Sequence, residues 1–272
     1  MRISYAFSTH HGGCMAKIIS LINQKGGCGK TVSTYNIAAT LAEKGYKVLM
    51  IDNDQQGSLT IYSGYNPNDF ENTLERVYLG QIPAVKAIYD TRYENLFLIP
   101  ANIGLAKVDM SLTGQARSGR NALGKMLEPI REAFDFILID CPPALSMLTI
   151  NALACSDYTL IPCQTNPLCT AALHDLFETI ENIQALTKHL QVLGILATMH
   201  QKSASVYRKE LEKLEENYNV LGVIKLSSVV SDSIISGEPV VRYKRSSEVA
   251  KQYIEATEHL LEEMGVDTNG NE

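Results

Sequence analysis

The chain has 272 residues, of which 45% are apolar and 20% charged, an ordinary composition for a globular protein with a large core. Its net charge of −6 does not favour a general affinity for nucleic acid, so DNA binding would need a local cluster of basic residues. No apolar run approaches the length that crosses a bilayer, and residues 1–14 lack the apolar centre of a secretion signal. We therefore expect a cytoplasmic protein whose six cysteines are reduced and mostly buried.

The chain reads as one domain with two short polar ends. Met15-Ala16-Lys17 leads straight into the first predicted strand, as a natural start does. We expect residues 1–14 to be a disordered leader or a mis-assigned start. The domain spans residues 15–264, and residues 265–272 are a polar tail.

Strand-like and helix-like segments alternate along this domain. The predicted strands are 17–22, 47–52, 95–99, 136–140, 157–162, 193–198 and 220–224. The predicted helices lie near 30–44, 117–133, 146–154, 168–187, 204–217 and 245–263. The alternation predicts an α/β fold: a single doubly wound, mainly parallel sheet with helices on both faces. Turn signals in residues 58–92 indicate short helices there.

A glycine-rich loop, residues 23–31, follows the first strand and opens the first helix. Its glycines let successive N–H groups point at one anion, and the helix adds the positive end of its dipole. The pattern predicts a nucleotide phosphate site, with Lys30 facing the β and γ phosphates and the Thr31 hydroxyl on magnesium. The alternative is a turn that binds no ligand. The predicted nucleotide-binding residues are Lys25, Gly26, Gly27, Cys28, Gly29, Lys30, Thr31 and Val32.

Two more strands end in carboxylates, at the edge where α/β sheets bind their ligands. Asp52 and Asp54 follow the second strand, and Asp140 ends the strand at 136–140. Mg²⁺ needs only one or two protein oxygens, so Asp140 fits the outer-shell acid of a nucleotide-hydrolysing site. The alternative role for Asp52 and Asp54 is to cap the next helix. Helix capping is a sufficient role for Asp52, whereas we favour a functional role for Asp54. Cys141 fits a packing thiol better than a nucleophile.

The loop departs from the common phosphate-loop pattern. Gln24 stands where that pattern has glycine, and Lys25 adds a second lysine. This deviant Walker A form resembles the loop of ParA/Soj-type partition ATPases, which share a P-loop NTPase-like fold. Segments 52–58, 134–143 and 237–253 resemble other motifs of that family, so the resemblance covers roughly residues 15–264.

The resemblance implies a set of ligands and roles. ATP and Mg²⁺ are the implied cofactors, and the implied state with ATP is a homodimer in which Lys25 reaches the partner's nucleotide. Lys25, Lys30 and Asp54 are the implied catalytic residues, with Asp54 orienting or activating the attacking water. The magnesium residues are Thr31, Asp140 and Asp54. The chain also departs from the family pattern, because Gln55 replaces a proline, Ser58 replaces an asparagine and residues 224–229 lack both family arginines.

The resemblance further implies a nucleoid-associated DNA-segregation protein that binds DNA nonspecifically and is stimulated by a ParB-like partner. The candidate DNA contacts are Arg242, Lys244, Arg245, Lys251 and Arg208. Interleaved acidic residues leave open a solvated mixed-charge surface as the alternative. Residues 255–272 hold six acids and no lysine or arginine, so we expect no docking on an anionic membrane.

Two other functions come from different classes. A nucleotide-dependent regulator of replication or transcription with little ATPase turnover stays open, because the switch segment and the terminal loop are altered. An electron-transfer protein similar to the nitrogenase iron protein is disfavoured. That protein needs a cluster cysteine in this part of the chain, and none lies between Cys28 and Cys141.

Overall fold

One mixed sheet forms the centre of the protein. The computed structural model describes residues 15–114, 118–187, 189–203 and 205–266, so the predicted leader and most of the polar tail lie outside the described residues. Within the described ranges the sheet has eight strands: β1 (Lys17–Leu21), β2 (Val48–Asp52), β3 (Tyr89–Asp90), β4 (Leu96–Ile99), β5 (Phe136–Asp140), β6 (Tyr158–Gln164), β7 (Gln191–His200) and β8 (Val220–Lys225). Their order is β3-β4-β2-β5-β1-β6-β7-β8, and only β3 pairs antiparallel.

Helices cover both faces of the sheet. They are α1 (Lys30–Glu43), α2 (Ser58–Tyr62), α3 (Leu74–Tyr78), α4 (Leu105–Thr113), α5 (Ala122–Leu127), α6 (Met147–Cys155), α7 (Pro167–Ala171), α8 (Leu173–Thr187), α9 (Ser205–Asn217), α10 (Ser228–Ile235), α11 (Val240–Tyr243) and α12 (Glu248–Glu263). Short 3₁₀ helices occupy Pro67–Asp69, Ala84–Ala87, Ser118–Asn121 and Glu128–Ala133. The predicted doubly wound α/β fold is confirmed. None of the described helices has both the length and the apolarity that a bilayer crossing requires.

Alternate side chains of the central strands pack into two separate hydrophobic cores, one on each face of the sheet. In β2, Leu49 and Ile51 pack with α3 to α6, α8 and α9 on one face, whereas Val48 and Met50 pack with α1, α2, α11 and α12 on the other. Both faces are covered, so the central strands read as continuous apolar runs. The five cysteines in the described ranges are free and buried, as predicted.

The predicted strands are all present, and the differences lie in shorter elements. Predicted helix 117–133 divides into α5 between two 3₁₀ segments, and Pro129 stands in the second of these, where a proline opens a new turn. Predicted helix 168–187 divides into α7 and α8. The sequence patterns missed β3, α4, α10 and α11. The valines and isoleucines of α10 have a high strand propensity, and the Ser227 side chain caps its first turn by accepting from the Val229 N–H.

The turns after α2 and α10 contact each other through glycines. Gly64 and Gly237 have φ of 84° and 66°, and a Cβ on Gly237 would lie 2.6 Å from the Gly64 Cα. We expect Gly237→Ala to cost about 1–3 kcal/mol more unfolding free energy than Gly265→Ala, because it adds overpacking to the same backbone penalty. Gly265 is the matched control, since its φ is 64° and nothing lies within 4 Å of a Cβ there. Urea unfolding measures both variants, and equal losses would contradict the close contact.

Candidate functional site

The loop of residues 23–29 joins β1 to α1 at the carboxyl edge of the sheet. Gly27 and Gly29 have φ of 73° and 88°, a conformation that side chains with a Cβ rarely adopt. Gly29 also lies against Thr198, whose hydroxyl donates to the Cys28 carbonyl at 2.8 Å. The first turn of α1 carries no acidic side chain, so the positive end of its dipole stays available to an anion.

Lys30 lies inside the curl of this loop. Its buried ammonium donates to the carbonyl oxygens of Asn23, at 3.0 Å, and Lys25, at 3.2 Å. The loop backbone therefore curls around the ammonium group. An incoming phosphate meets the cation and the loop N–H groups together, the arrangement of a phosphate site.

Asn23 fixes the position of the second lysine. The Asn23 amide donates to the Pro162 carbonyl of β6 at 2.8 Å, and its oxygen accepts from the Lys25 N–H at 2.9 Å. The half-buried Lys25 therefore begins its side chain at a backbone tied to the neighbouring strand. The sequence pattern did not single out Asn23, because its anchoring partner lies far along the chain.

Asp140 supplies a carboxylate beside the loop. Parallel pairing sets it opposite Leu21 on one side and Asp52 on the other. Burial, and then the charge of Asp52, raise the pKa of Asp140 well above its usual range, while a hydrogen bond from the Thr31 hydroxyl acts the other way. Its Oδ2 is buried and accepts no hydrogen bond from the described residues. A lone carboxylate oxygen next to a threonine hydroxyl is a donor set that fits Mg²⁺, directly or through water.

Asp52 and Asp54 have different environments. The Asp52 carboxylate accepts from the Thr60 N–H at 2.8 Å and the Thr60 hydroxyl at 2.7 Å, so it anchors α2, consistent with the capping role expected for it. Burial raises the pKa of Asp52 to about 7. Asp54 lines the cleft, and its Oδ1 accepts from the Gln56 N–H at 3.0 Å. The geometry therefore leaves Asp54, the acid expected to act on water, next to the phosphate loop.

A cleft of about 410 Å³ extends from the loop. The predicted residues Gly26 to Val32 and Asp54 line one end. Thr198 lies beside Gly29 at this end, and the other end is formed by residues outside the predicted nucleotide-binding set: Met199, Ile224, Lys225, Leu226, Ser227, Val230, Ser231 and Tyr253. They come from the ends of β7 and β8 and from α10 and α12. The cleft therefore has a polar phosphate end and a more apolar end suited to a nucleotide base.

The predicted basic residues divide between the two faces of the sheet, with four of them in or between α11 and α12 and Arg208 on α9. Arg242 and Arg245 both pair with Glu43 of α1, with 2.5 Å between Arg242 Nε and the carboxylate. Arg242 also lies over the Tyr93 ring. Lys244 and Lys251 are exposed, and neither forms a salt bridge with any residue in the described ranges. Arg208 is on α9, which packs on the opposite face of the sheet from α11 and α12.

Comparisons with known proteins agree with this geometry. A family model described as an AAA domain matches residues 16–192. The sporulation initiation inhibitor protein Soj of Bacillus subtilis is 33% identical over 250 residues, covering 90% of this chain and 98% of Soj. The chain belongs to the ParA/MinD family of P-loop ATPases.

Two further relatives of this ParA/MinD-type chain support the assignment. The chromosome partitioning protein ParA of Caulobacter vibrioides is 30% identical over 251 residues, covering 90% of this chain and 94% of that protein. The crystal structure of cobyrinic acid a,c-diamide synthase from Mycobacterium smegmatis, with bound ADP and magnesium, superimposes with a TM-score of 0.80 at 29% identity. The match covers 92% of this chain and 96% of the synthase.

Proposed function

We propose that this P-loop ATPase is a DNA-segregation protein that dimerises on ATP, binds DNA nonspecifically and is stimulated by a ParB-like partner. The observation that carries the proposal is the loop itself, which has Lys30 at its centre, Lys25 at its head and the unpartnered Asp140 oxygen beside it. ATP and Mg²⁺ are its ligands. The proposal puts the protein in the cytoplasm, on the nucleoid.

In the proposed hydrolysis, different residues bind the phosphates, hold the metal and position the attacking water. The loop N–H groups and Lys30 hold the phosphates, and Thr31 and Asp140 are the residues that hold Mg²⁺. The metal, when bound, neutralises charge on the phosphate oxygens. Asp54 accepts a hydrogen bond from the attacking water and aligns it with the phosphorus. Positioning and charge neutralisation are sufficient, so no covalent intermediate is needed.

An exposed apolar surface flanks the loop and suits a dimer across the nucleotide. Leu145 follows β5 and is 43% exposed, and Leu168 follows β6 and is 74% exposed. β5 and β6 are the two neighbours of β1, so these leucines stand on either side of the loop that begins where β1 ends. A partner seated on both leucines would bring its own loop toward this one, within reach of Lys25.

Placing negative charge at Leu145 and Leu168 tests the proposed dimer surface. We expect Leu145→Asp with Leu168→Asp to weaken the ATP-dependent dimer at least about tenfold, because the interface would then bury unpaired carboxylates. Light scattering with Mg-ATP and with Mg-ADP measures the dimer. Leu186→Asp is the control, because Leu186 is 62% exposed in the last turn of α8, just before β7 begins, at the opposite edge of the sheet from the loop. An undiminished dimer in the double variant would contradict this surface.

Of the predicted DNA contacts in and between α11 and α12, Lys244 and Lys251 are the most available, because Arg242 and Arg245 are paired with Glu43. We expect Lys244→Ala with Lys251→Ala to weaken ATP-dependent DNA retention. The slope of log affinity against log salt should fall by about two units, because each lysine neutralises about one phosphate.

Lys107→Ala with Lys125→Ala is the matched control for DNA binding, because both lysines are exposed and lie on α4 and α5, on the opposite face of the sheet. Equal loss in both double variants would show a diffuse charge effect instead of a DNA site. Steady-state ATPase assays with and without DNA complete the test. Intact nucleotide binding with no turnover under either condition would favour the nucleotide-dependent regulator.

A further inference from the structure

The last residue of α1, Glu43, pairs with two of the predicted DNA contacts, Arg242 and Arg245. The Glu43 side chain is 12% exposed, whereas those of Arg242 and Arg245 are 42% and 63% exposed. The acid is therefore largely enclosed, while both arginine side chains remain accessible to a ligand. The proposed hydrolysis does not use these ion pairs.

The position of Glu43 in α1 calls for cationic partners. The last turn of α1 carries no basic side chain, and an acid there faces the negative end of the helix dipole. Enclosing a carboxylate adds a further cost unless a cation pairs with it. Arg242 of α11 and Arg245 just after it supply that charge. The backbone of α11 is held close to α1, because the Val241 N–H donates to the Asn36 side-chain oxygen at 3.2 Å.

The contact between Glu43 and Arg242 is an ion pair without good hydrogen-bond geometry. Glu43 Oε1 lies 2.5 Å from Arg242 Nε, yet it accepts no hydrogen bond from any residue in the described ranges. Arg242 also lies over the Tyr93 ring, 5.5 Å from its centroid, and Arg92 lies over the same ring at 5.9 Å. The ring keeps a guanidinium in place when its anionic partner changes. A phosphate oxygen that aligns better with the guanidinium can therefore replace the carboxylate.

We propose that Glu43 masks Arg242 and Arg245, so that DNA phosphates must displace its carboxylate before these arginines bind DNA. This regulation of the DNA surface rests on the proposed function. In the free chain the protein itself neutralises two charges that would otherwise each pair with a phosphate. Lys244 and Lys251 provide the first contacts, and the arginines add theirs only where phosphate replaces the acid.

A structural role for these ion pairs gives a different expectation. If Glu43 only fastens α11 to α1, its loss lowers thermal stability and leaves the affinity for DNA unchanged or lower. If Glu43 masks the arginines, its loss raises the affinity for DNA, because two cations are released and one anion is removed from the surface that meets the phosphates. The sign of the change in affinity distinguishes the two roles.

The test measures binding of a fluorescent random-sequence DNA duplex to the full-length chain with Mg-ATP at several salt concentrations. We expect Glu43→Gln to bind DNA about fivefold more tightly than the wild type, with a salt slope steeper by about one to two units, because each released arginine neutralises about one phosphate. Addition of Arg242→Ala and Arg245→Ala to Glu43→Gln should remove the gain. An affinity equal to or below that of the wild type would overturn the proposal.

A second variant tests masking without a change of net charge. Glu43→Asp keeps the carboxylate but shortens the side chain by one methylene, so it should reach the arginines less well and show a smaller gain in DNA affinity. If circular dichroism shows that Glu43→Gln does not fold, Glu43→Asp decides the proposal, and a wild-type affinity in that variant would refute it.

Glu71→Gln is the matched control for lost charge. Glu71 pairs with Arg76 of α3, on the opposite face of the sheet from α11, so the substitution removes one carboxylate and releases one arginine elsewhere on the surface. It should bind DNA as the wild type does. A gain in Glu71→Gln equal to that in Glu43→Gln would show a general charge effect and contradict masking.

Failure of the proposed function has a separate signature. If neither the wild type nor any variant binds DNA, that function fails, and salt elution from a heparin column then decides the masking of the arginines. Glu43→Gln should elute at higher salt than Glu71→Gln, and the difference should vanish when Arg242 and Arg245 are also replaced by alanine. Equal elution of Glu43→Gln and Glu71→Gln would refute masking.

Discussion

Lys30→Ala is expected to lose most of its nucleotide binding, with Kd for Mg-ATP raised by about one to two orders of magnitude. The Lys30 ammonium is buried within the loop, where it donates to the carbonyl oxygens of Asn23, at 3.0 Å, and Lys25, at 3.2 Å, and to the Cys28 sulfur at 3.9 Å. A methyl group leaves those oxygens facing each other with no cation, and the phosphates lose a charge-assisted partner worth about 1.5–3 kcal/mol. Isothermal titration calorimetry with Mg-ATP measures the effect.

Removal of a buried lysine also affects folding, so the test needs two references. Circular dichroism and thermal melting of Lys30→Ala report whether the sheet persists. Lys86→Ala removes the same group from an exposed position in a 3₁₀ helix and should bind nucleotide as the wild type does. If folded Lys30→Ala binds Mg-ATP with unchanged affinity, the phosphate site is assigned to the wrong loop.

The phosphate end of the cleft was predictable because its determinants are local. Residues 23–31 carry the glycines, both lysines and the threonine in one uninterrupted segment that follows an apolar strand. Asp54 and Asp140 were predictable for a related reason, since each follows a parallel strand and such strands end at one edge of the sheet. The structure adds the register that sets Asp52 opposite Asp140.

The other end of the cleft depends on contacts between distant segments. Ser227 and Val230 reach it because β8 is the edge strand beside β7 and α10 turns back over the loop, and no local pattern encodes that order. The pairing of Arg242 with Glu43 is similar, because the two residues meet only when α11 packs on α1. The cluster of basic residues in the sequence made Arg242 a candidate DNA contact. In the structure its guanidinium pairs with Glu43 of the same chain.

Asp54→Ala is expected to separate binding from turnover. The Asp54 side chain lines the cleft beside the loop, while the neighbouring Asp52 is committed to Thr60, so Asp54 is the acid of this segment that can meet a water molecule. Its removal leaves Lys30 and Thr31 in place, so Kd for Mg-ATP should change by less than about threefold. Turnover should fall about 100-fold or more, the usual effect of losing a residue that accepts a proton from, or aligns, the nucleophile.

The matched control for Asp54→Ala is Asp69→Ala, an exposed acid in the next 3₁₀ helix, which should hydrolyse ATP at the wild-type rate. Phosphate release under saturating Mg-ATP, with binding measured on the same samples, separates kcat from affinity. Because the Asp54 carboxylate also accepts from the Gln56 N–H, a structural role alone would lower the melting temperature and the affinity together. A loss confined to kcat therefore identifies water positioning, and normal turnover in Asp54→Ala would leave hydrolysis to a residue outside this switch segment.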